Sequence, residues 1–241
     1  NVDYILRHNP QISTSKIEVN PNSLEPVEAN INFVERNQAR KKYQIPEDVV
    51  VFIYGGSLGK PQGIDFLIET LDYQKNNNDV FFIIIGSGTE YKKIEKWYNE
   101  NKGFNTLLMP FLQRSEYDLL INACDVGMIF LDKRFTIPNF PSRLLSYLEN
   151  KIPVLAATDK CTDLRYILEE NKFGFWSEAG DKNSISENIS AISSNRDLRI
   201  EMGLNGYKYF IENYTVTKSY ETIMKHFELN SSQNNKSSHK K

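Results

Sequence analysis

Cysteine, histidine and long apolar runs are scarce in this chain of 241 residues, and each scarcity excludes a class of protein or site. The two cysteines, Cys124 and Cys161, are too few for a disulfide framework, and with three scattered histidines they form no zinc-binding pattern. No apolar run approaches the roughly 20 residues that a membrane-spanning helix needs. We therefore interpret both cysteines as structural or incidental and expect a reducing, cytoplasmic setting.

Charge of one sign is also lacking, because 29 Lys and Arg against 31 Asp and Glu give a net charge of −2. A general nucleic-acid binder usually carries a basic excess, so we expect no nucleic-acid partner. Hydrophobic residues make up 40% and aromatic residues 12%, which is typical of a globular protein with a large core. The chain begins at Asn1 without Met or a signal peptide, so we interpret it as a fragment of a longer protein.

Six short apolar runs alternate with segments of helical periodicity through the middle of the chain. Most runs are continuously apolar, which indicates strands covered on both faces, as in a parallel sheet between helices. The alternation predicts an α/β fold with a doubly wound, Rossmann-like parallel sheet of about six strands. The runs are 49–54, 80–85, 106–109, 126–131, 153–156 and 173–176, and the last helical patterns are 184–193, 197–212 and 216–227.

The two ends differ in composition from the middle. Residues 1–30 combine a helix-like start, a predicted short strand at 16–19 (KIEV), and a Pro/Asn/Ser-rich segment typical of an interdomain linker. Residues 229–241 are polar and of low complexity, which predicts a disordered, solvated tail. These boundaries leave residues 31–228 for the sheet domain.

The first candidate ligand-binding loop, GGSLGKPQG at residues 55–63, follows the first predicted strand. Its glycines let the backbone approach a ligand, and the N–H groups of the next helix start can face an anion, with Lys60 adding positive charge. The loop is not a P-loop, because Tyr54 stands where the first glycine belongs and Pro61 follows the lysine. A phosphate-binding loop is the favoured interpretation, and a tight strand-to-helix turn is the alternative.

The second candidate segment is NFPSRLLSYLE at residues 139–149. The proline before Ser142 suits a helix start, whose N-terminus with Ser142 and Arg143 would form a second anion site. Ser142 and Ser146 would share a polar face opposite the leucines, although a plain surface stripe gives the same pattern. Two such sites carrying Lys60 and Arg143 suit a diphosphate better than a single phosphate.

No catalytic nucleophile is evident in the sequence, because His8, His226 and His239 have no Ser, Cys or Asp partners in a recognisable arrangement. The loop at 110–113, after the third predicted strand, offers apolar atoms and backbone groups that can hold a base. The chemistry indicated by the residues is therefore anion binding.

The order of these segments resembles the C-terminal donor-binding domain of family 4 glycosyltransferases, which have the GT-B fold. The glycine loop, a Gly-Ser-Gly turn at 86–88 and NFPSRLLSYLENKIPVLA at 139–156 fall in order at strand ends, and the likeness covers about residues 16–228. It is closest to bacterial members that build capsule, O-antigen or other surface polysaccharide. The resemblance implies a nucleotide-diphosphate sugar here, by default a UDP-sugar, and a saccharide or lipid-linked acceptor held by a missing N-terminal domain.

Carried over residue by residue, the resemblance also marks departures from the family pattern. The family's loop Arg and Lys fall on Ser57 and Gln62, so Lys60 would supply the charge, and its two glutamates fall on Pro138 and Ser146. Catalytic residues stay unknown. The implied donor-binding residues are Gly56, Ser57, Gly59, Lys60, Gln62, Gly63, Phe111, Leu112, Pro141, Ser142, Arg143, Leu144 and Ser146.

The same resemblance implies retaining transfer that requires no metal and no other cofactor, with the leaving phosphate stabilised electrostatically. It implies that this chain alone is inactive, and that any peripheral contact with the inner membrane face lies outside it. A non-catalytic nucleotide-sugar-binding partner module is one alternative, favoured by the loss of both glutamates. A sugar-nucleotide epimerase is another, but it would need acidic and histidine groups that are not evident.

Overall fold

The computed structural model describes residues 2–27, 33–137 and 139–237. The chain divides into two compact units, one comprising Asn1–Val27 with Lys208–Lys241 and the other Glu28–Tyr207. In chain order the helices and strands are α1 (Val2–His8), α2 (Phe33–Lys42), β1 (Val50–Ser57), α3 (Ile64–Gln74), β2 (Val80–Ser87), α4 (Tyr91–Glu100), β3 (Thr106–Met109), α5 (Arg114–Ile121), β4 (Val126–Phe130), α6 (Arg143–Glu149), β5 (Val154–Thr158), α7 (Leu164–Glu170), β6 (Gly174–Glu178), α8 (Lys182–Ser194), α9 (Arg196–Asn213) and α10 (Val216–Ser237).

The larger unit is built on one six-stranded sheet with the order β3-β2-β1-β4-β5-β6. Every neighbouring pair is parallel, and the strand order reverses between β1 and β4. This confirms the predicted doubly wound, Rossmann-like α/β fold. In such open sheets ligands bind at the carboxyl ends of the strands, at the point where the order reverses.

The continuous apolar runs are buried because both faces of the sheet are covered. Residues 51–54 of β1 and all of β4 are buried. Helix α3 turns Ile64, Leu67 and Leu71 into the core, as its i, i+3, i+7 spacing predicts. Each fully buried side chain of this size contributes about 1.5–3 kcal/mol, so these strands and helices form the rigid frame under the candidate loops.

Strand β1 is longer than the sequence predicts. It pairs with β2 from Val50 opposite Val80 to Ser57 opposite Ser87, so the first residues of the glycine loop are strand rather than loop. Beyond the strand, the Leu58 N–H donates to the Ser87 carbonyl at 2.9 Å, and the Leu58 carbonyl accepts from the Glu90 N–H at 2.9 Å. The turn after β2 therefore holds the glycine loop in place.

The smaller unit contains the N-terminal segment and the last helix. The strand predicted at 16–19 is wrong, because a 3-10 turn spans Thr14–Lys16 and residues 17–19 have no regular structure. Four residues are too few to form a strand without a neighbour to pair with. The N-terminal segment instead pairs at Leu24, whose N–H donates to the Tyr214 carbonyl at 3.0 Å and whose carbonyl accepts from the Val216 N–H at 3.1 Å.

The C-terminal residues also differ from expectation. Residues 208–228, assigned from the sequence to the sheet domain, group with the smaller unit. Helix α10 continues to Ser237, so residues 229–237 are helical rather than disordered, because extending an existing helix costs far less than starting one. Residues 238–241 lie outside the described residues, and no described helix is long and apolar enough to cross a membrane.

Candidate functional site

The two segments singled out in the sequence meet where the strand order reverses. Strand β1 is followed by a 3-10 turn at Lys60–Gln62, and the chain after β4 leads to α6. The Asp132 N–H donates to the Pro61 carbonyl at 2.9 Å, so the chain leaving β4 closes onto the glycine loop. The site therefore lies at the edge of the sheet where this fold binds ligands.

Two glycines of the loop permit close approaches that a side chain would block. Gly63 has φ 59°, and a Cβ there would lie 2.9 Å from the carbonyl carbon and oxygen of Leu131. Gly56 has φ 127°, and a Cβ there would lie 3.4 Å from Nη2 of Arg143. Gly63 therefore lets the loop pack on the end of β4. Gly56 leaves room for the Arg143 guanidinium to lie against the main chain.

Arg143 joins the two segments. Its Nη2 donates to Oε1 of Gln62 at 2.7 Å, and its Cζ lies 4.1 Å from the centroid of the Tyr54 ring. Its Nη1 is buried without a hydrogen-bond partner among the described residues, and no described carboxylate pairs with it. A charged group with a buried, unpaired donor is costly unless an anion compensates it, so the arrangement suits a negatively charged ligand.

Three tyrosines surround this guanidinium. The Oη of Tyr147 lies 3.1 Å from the Ile53 carbonyl and 3.2 Å from the Met128 carbonyl, so it ties α6 to β1 and β4. Burial raises the pKa of Tyr147 to about 12 and also raises the pKa values of Tyr54 and Tyr117. The tyrosines are therefore neutral at physiological pH, and the positive charge of Arg143 is left for a ligand.

The other residues predicted in the glycine loop fall into two groups. Gly56, Ser57 and Lys60 are exposed, and Lys60 has no hydrogen bond or ion pair with a described side chain. Gly59 begins the 3-10 turn, and its carbonyl accepts from the Gln62 N–H at 3.0 Å. The turn thus places Lys60 two residues from the glutamine that holds Arg143.

The start of α6 differs from the predicted capped helix. Ser142 is exposed, has a helical backbone and makes no side-chain cap hydrogen bond. Pro141 and Leu144 are buried, and the Leu144 N–H donates to the Pro141 carbonyl at 3.0 Å. Neither the side chain nor the N–H of Leu144 is therefore available to a ligand, whereas Ser146 is half-buried.

The remaining predicted positions lie further along the same edge. Phe111, which is 72% exposed, and the half-buried Leu112 follow β3, at the carboxyl end of a strand separated from β1 by β2. Pro138 lies outside the described residues. The sequence reasoning missed the tyrosines, although Tyr147 is one helical turn after Arg143 and such a position packs beside it.

Metal ligands and cysteines add little to this site. Within residues 2–27, 33–137 and 139–237, no group of three or more His, Cys, Asp or Glu side chains is arranged to hold a metal ion. Cys124 is buried, its Sγ lies 3.3 Å from the Leu120 carbonyl, and burial raises the pKa of its thiol, which suits a packing role. Cys161 is exposed.

The chain matches the family of glycosyl transferases group 1 over residues 35–209, which is most of its length. It belongs to this family. The matched region contains the whole sheet, the glycine loop and α6.

Individual proteins support the same fold. A Pseudomonas aeruginosa protein named "Probable glycosyltransferase WbjE" is 24% identical over 59% of this chain and 35% of its own length. A glycosyltransferase structure from Rickettsia africae has a TM-score of 0.78 at 16% identity, over 94% of this chain and 60% of that one. HepE from Anabaena, solved with UDP-glucose, has a TM-score of 0.71 at 16% identity, over 88% and 57%. The chain thus spans between about a third and three fifths of these proteins, and the structural likeness shows the fold alone.

Proposed function

We propose that this chain binds a nucleotide-diphosphate sugar, by preference a UDP-sugar, as the donor domain of a family 4 glycosyltransferase. One observation carries the proposal: Arg143 is half-buried, its Nη1 is buried without a partner, and no described carboxylate pairs with it where it meets the glycine loop. A diphosphate supplies the charge that this guanidinium lacks, and HepE, which shares the fold, was solved with UDP-glucose.

The proposed reaction transfers the sugar to a saccharide or lipid-linked acceptor, with retention of configuration. As the glycosidic bond to the diphosphate breaks, negative charge develops on the leaving phosphate oxygen. Arg143 is already held in place by Gln62 and Tyr54, and with Lys60 it stabilises that charge. No catalytic residue is assigned, and independence from bound metal is part of the proposal, to be tested with EDTA.

The donor-binding residues divide by what each offers in this arrangement. Lys60 and Arg143 offer charge, and Ser57, Ser142 and Ser146 offer hydroxyl groups. Leu144 and Pro141 act only by supporting the start of α6, because they are buried. We further propose that Phe111 and Leu112 contact the nucleobase, that the complete protein makes bacterial surface polysaccharide, and that it is cytoplasmic with peripheral contact at the inner membrane face.

The test exploits the hydrogen bond between Gln62 and Arg143. Gln62→Glu has nearly the same shape but places a carboxylate against Nη2 of Arg143, where it competes with a phosphate for the cation. Calorimetry with UDP, UMP and uridine should show affinity that falls as phosphates are removed, and a UDP affinity at least about tenfold weaker in the variant. Gln38→Glu, an exposed substitution on α2, is the matched control.

Two results would overturn the proposal: equal affinity for UDP and uridine, or UDP binding that Gln62→Glu leaves unchanged. The non-catalytic alternative is favoured by one observation, that Pro138 and Ser146 stand where the resemblance implies glutamates. Release of free UDP from UDP-glucose by the complete protein with a saccharide acceptor separates the two functions, because a binding module takes up the nucleotide sugar without releasing UDP.

A further inference from the structure

A second basic site lies at the opposite edge of the sheet, where β1 and β4 begin. It is a cavity of about 580 Å³ between α2, the residues leading into β1, and the first turn of α9. Strand β1 has eight residues, so about 25 Å separates this edge from the glycine loop. The cationic side chains that line the cavity are Arg36, Arg40, Lys41, Arg196 and Arg199.

Part of this cluster is structural. Asp125 accepts from Nη2 of Arg36 at 2.6 Å and from Nη2 of Arg40 at 2.7 Å, and its Oδ2 also accepts from the Val51 N–H at 2.8 Å. Arg40 further donates to three backbone carbonyls. One carboxylate therefore holds two guanidinium groups in a fixed position at the cavity wall and leaves their combined charge unbalanced.

The other three cations keep unused donors. The side chains of Lys41 and Arg196 are exposed and have no hydrogen bond or ion pair with another described residue. Arg199 uses only Nη1, which donates to the Ile192 and Ser193 carbonyls at 2.7 Å each. These groups extend the positive wall formed by the two arginines of α2.

The cations also repel one another. Burial lowers the pKa of Arg40, Asp125 opposes this, and the charge of Arg36 lowers it further. Burial likewise lowers the pKa of Arg199 against the attraction of Asp125, with Arg196 and Arg36 adding to the lowering. Glu47 and Asp48 line the cavity beside Asp125, so five cations face three carboxylates. An anion carrying two charges would balance the cluster.

We propose that this cavity binds a phosphate-bearing anion, at a site separate from the glycine loop. Guanidinium groups match phosphate oxygens in geometry and bind them with two parallel hydrogen bonds. The cavity volume falls in the range of small-molecule pockets and exceeds the needs of a single phosphate. A soluble phosphorylated metabolite and a phospholipid headgroup share this chemistry. The inference is independent of the donor site.

Inorganic pyrophosphate is the soluble probe, titrated calorimetrically into the 241-residue chain. The test variant is Lys41→Gln/Arg196→Gln, because neither side chain makes a hydrogen bond or ion pair with a described residue. The control is Lys92→Gln/Lys102→Gln, which removes two exposed lysines elsewhere. We expect the test variant to weaken pyrophosphate binding at this site at least tenfold, while the control and Arg143→Met retain it. Wild-type binding should weaken as salt is raised.

Flotation with phosphatidylglycerol vesicles, against phosphatidylcholine alone, is the lipid arm of the test. If the wild type floats with the vesicles and the test variant does not, the ligand is a lipid headgroup. If the wild type binds pyrophosphate but does not float, the ligand is a soluble anion. The proposal is overturned if the test variant binds both probes as the wild type does, if the wild type binds neither, or if Arg143→Met abolishes all pyrophosphate binding. If Arg143→Met loses UDP binding but still binds pyrophosphate at the basic cavity, that result bears on the donor site alone.

Discussion

Replacing Arg143 with methionine separates ligand binding from stability. The substitution keeps an unbranched apolar stem of similar length, but it removes the guanidinium that stacks on Tyr54 and donates to Gln62. Because no described carboxylate pairs with Arg143, the change leaves no buried anion behind. We therefore expect a large effect on UDP affinity and a small effect on folding.

The size of the binding effect follows from the lost interaction. A hydrogen bond to a charged group contributes about 1.5–3 kcal/mol net, which corresponds to about a 10- to 150-fold increase in the Kd for UDP. Against this, the variant loses the cation–π contact, worth about 0.5–2 kcal/mol, and gains by no longer burying an unpaired charge. These terms oppose each other, so the free energy of unfolding should stay within about 1 kcal/mol of the wild type.

Titration calorimetry with UDP and urea denaturation followed by circular dichroism measure the two effects. Arg165→Met is the matched control, because Cζ of Arg165 lies 4.7 Å from the Trp176 ring centroid on another part of the sheet. The reasoning fails if Arg143→Met binds UDP with wild-type affinity, or if Arg165→Met weakens binding equally. It also fails if Arg143→Met loses binding only because it unfolds.

Two further predictions concern the frame around the two sites. Tyr147→Phe should cost about 1–3 kcal/mol, because two buried carbonyls lose their hydroxyl contact. The pKa of Tyr147 is about 12 in the folded chain, against about 10 when unfolded. This group alone should therefore lower the free energy of unfolding of the wild type by about 3 kcal/mol as pH rises from about 10 to 12. Urea denaturation of the wild type and of Tyr147→Phe across that range checks this, and a decline of the same size in both would contradict it. Asp125→Asn should lower the free energy of unfolding by about 3 kcal/mol, because it leaves Arg36 and Arg40 without their carboxylate. Urea melts against the exposed Asp79→Asn test this, and equal stability of the two variants would refute it.

The fold class follows from local patterns that act within each segment. Residues 51–54 and 126–130 are apolar at every position, and a strand with that pattern is stable only when both faces are covered. The position of the glycine loop follows in the same way, since it comes directly after a strand. Such inferences fail where the pattern is short or polar, as at residues 16–19 and at the C-terminal end of α10.

The side-chain partners depend instead on packing between distant segments. Gln62 and Arg143 are 81 residues apart, and Arg143 meets the glycine loop only because β1 and β4 are neighbours in the sheet. The apolar pattern predicts both strands but not their adjacency. Leu144 differs, because the leucine pattern of α6 already predicts that side chain in the core, whereas only packing places the arginine beside it at the site.

The basic cavity is the feature that depends most on tertiary structure. The chain as a whole carries a net charge of −2, and its sequence gives no sign of an anion site beyond the glycine loop and the start of α6. The cavity exists because α2 and the first turn of α9 lie beside the amino ends of β1 and β4. Strand periodicity is set by neighbouring residues along the chain, whereas charge clustering is set by which elements pack together, and that depends on the whole core.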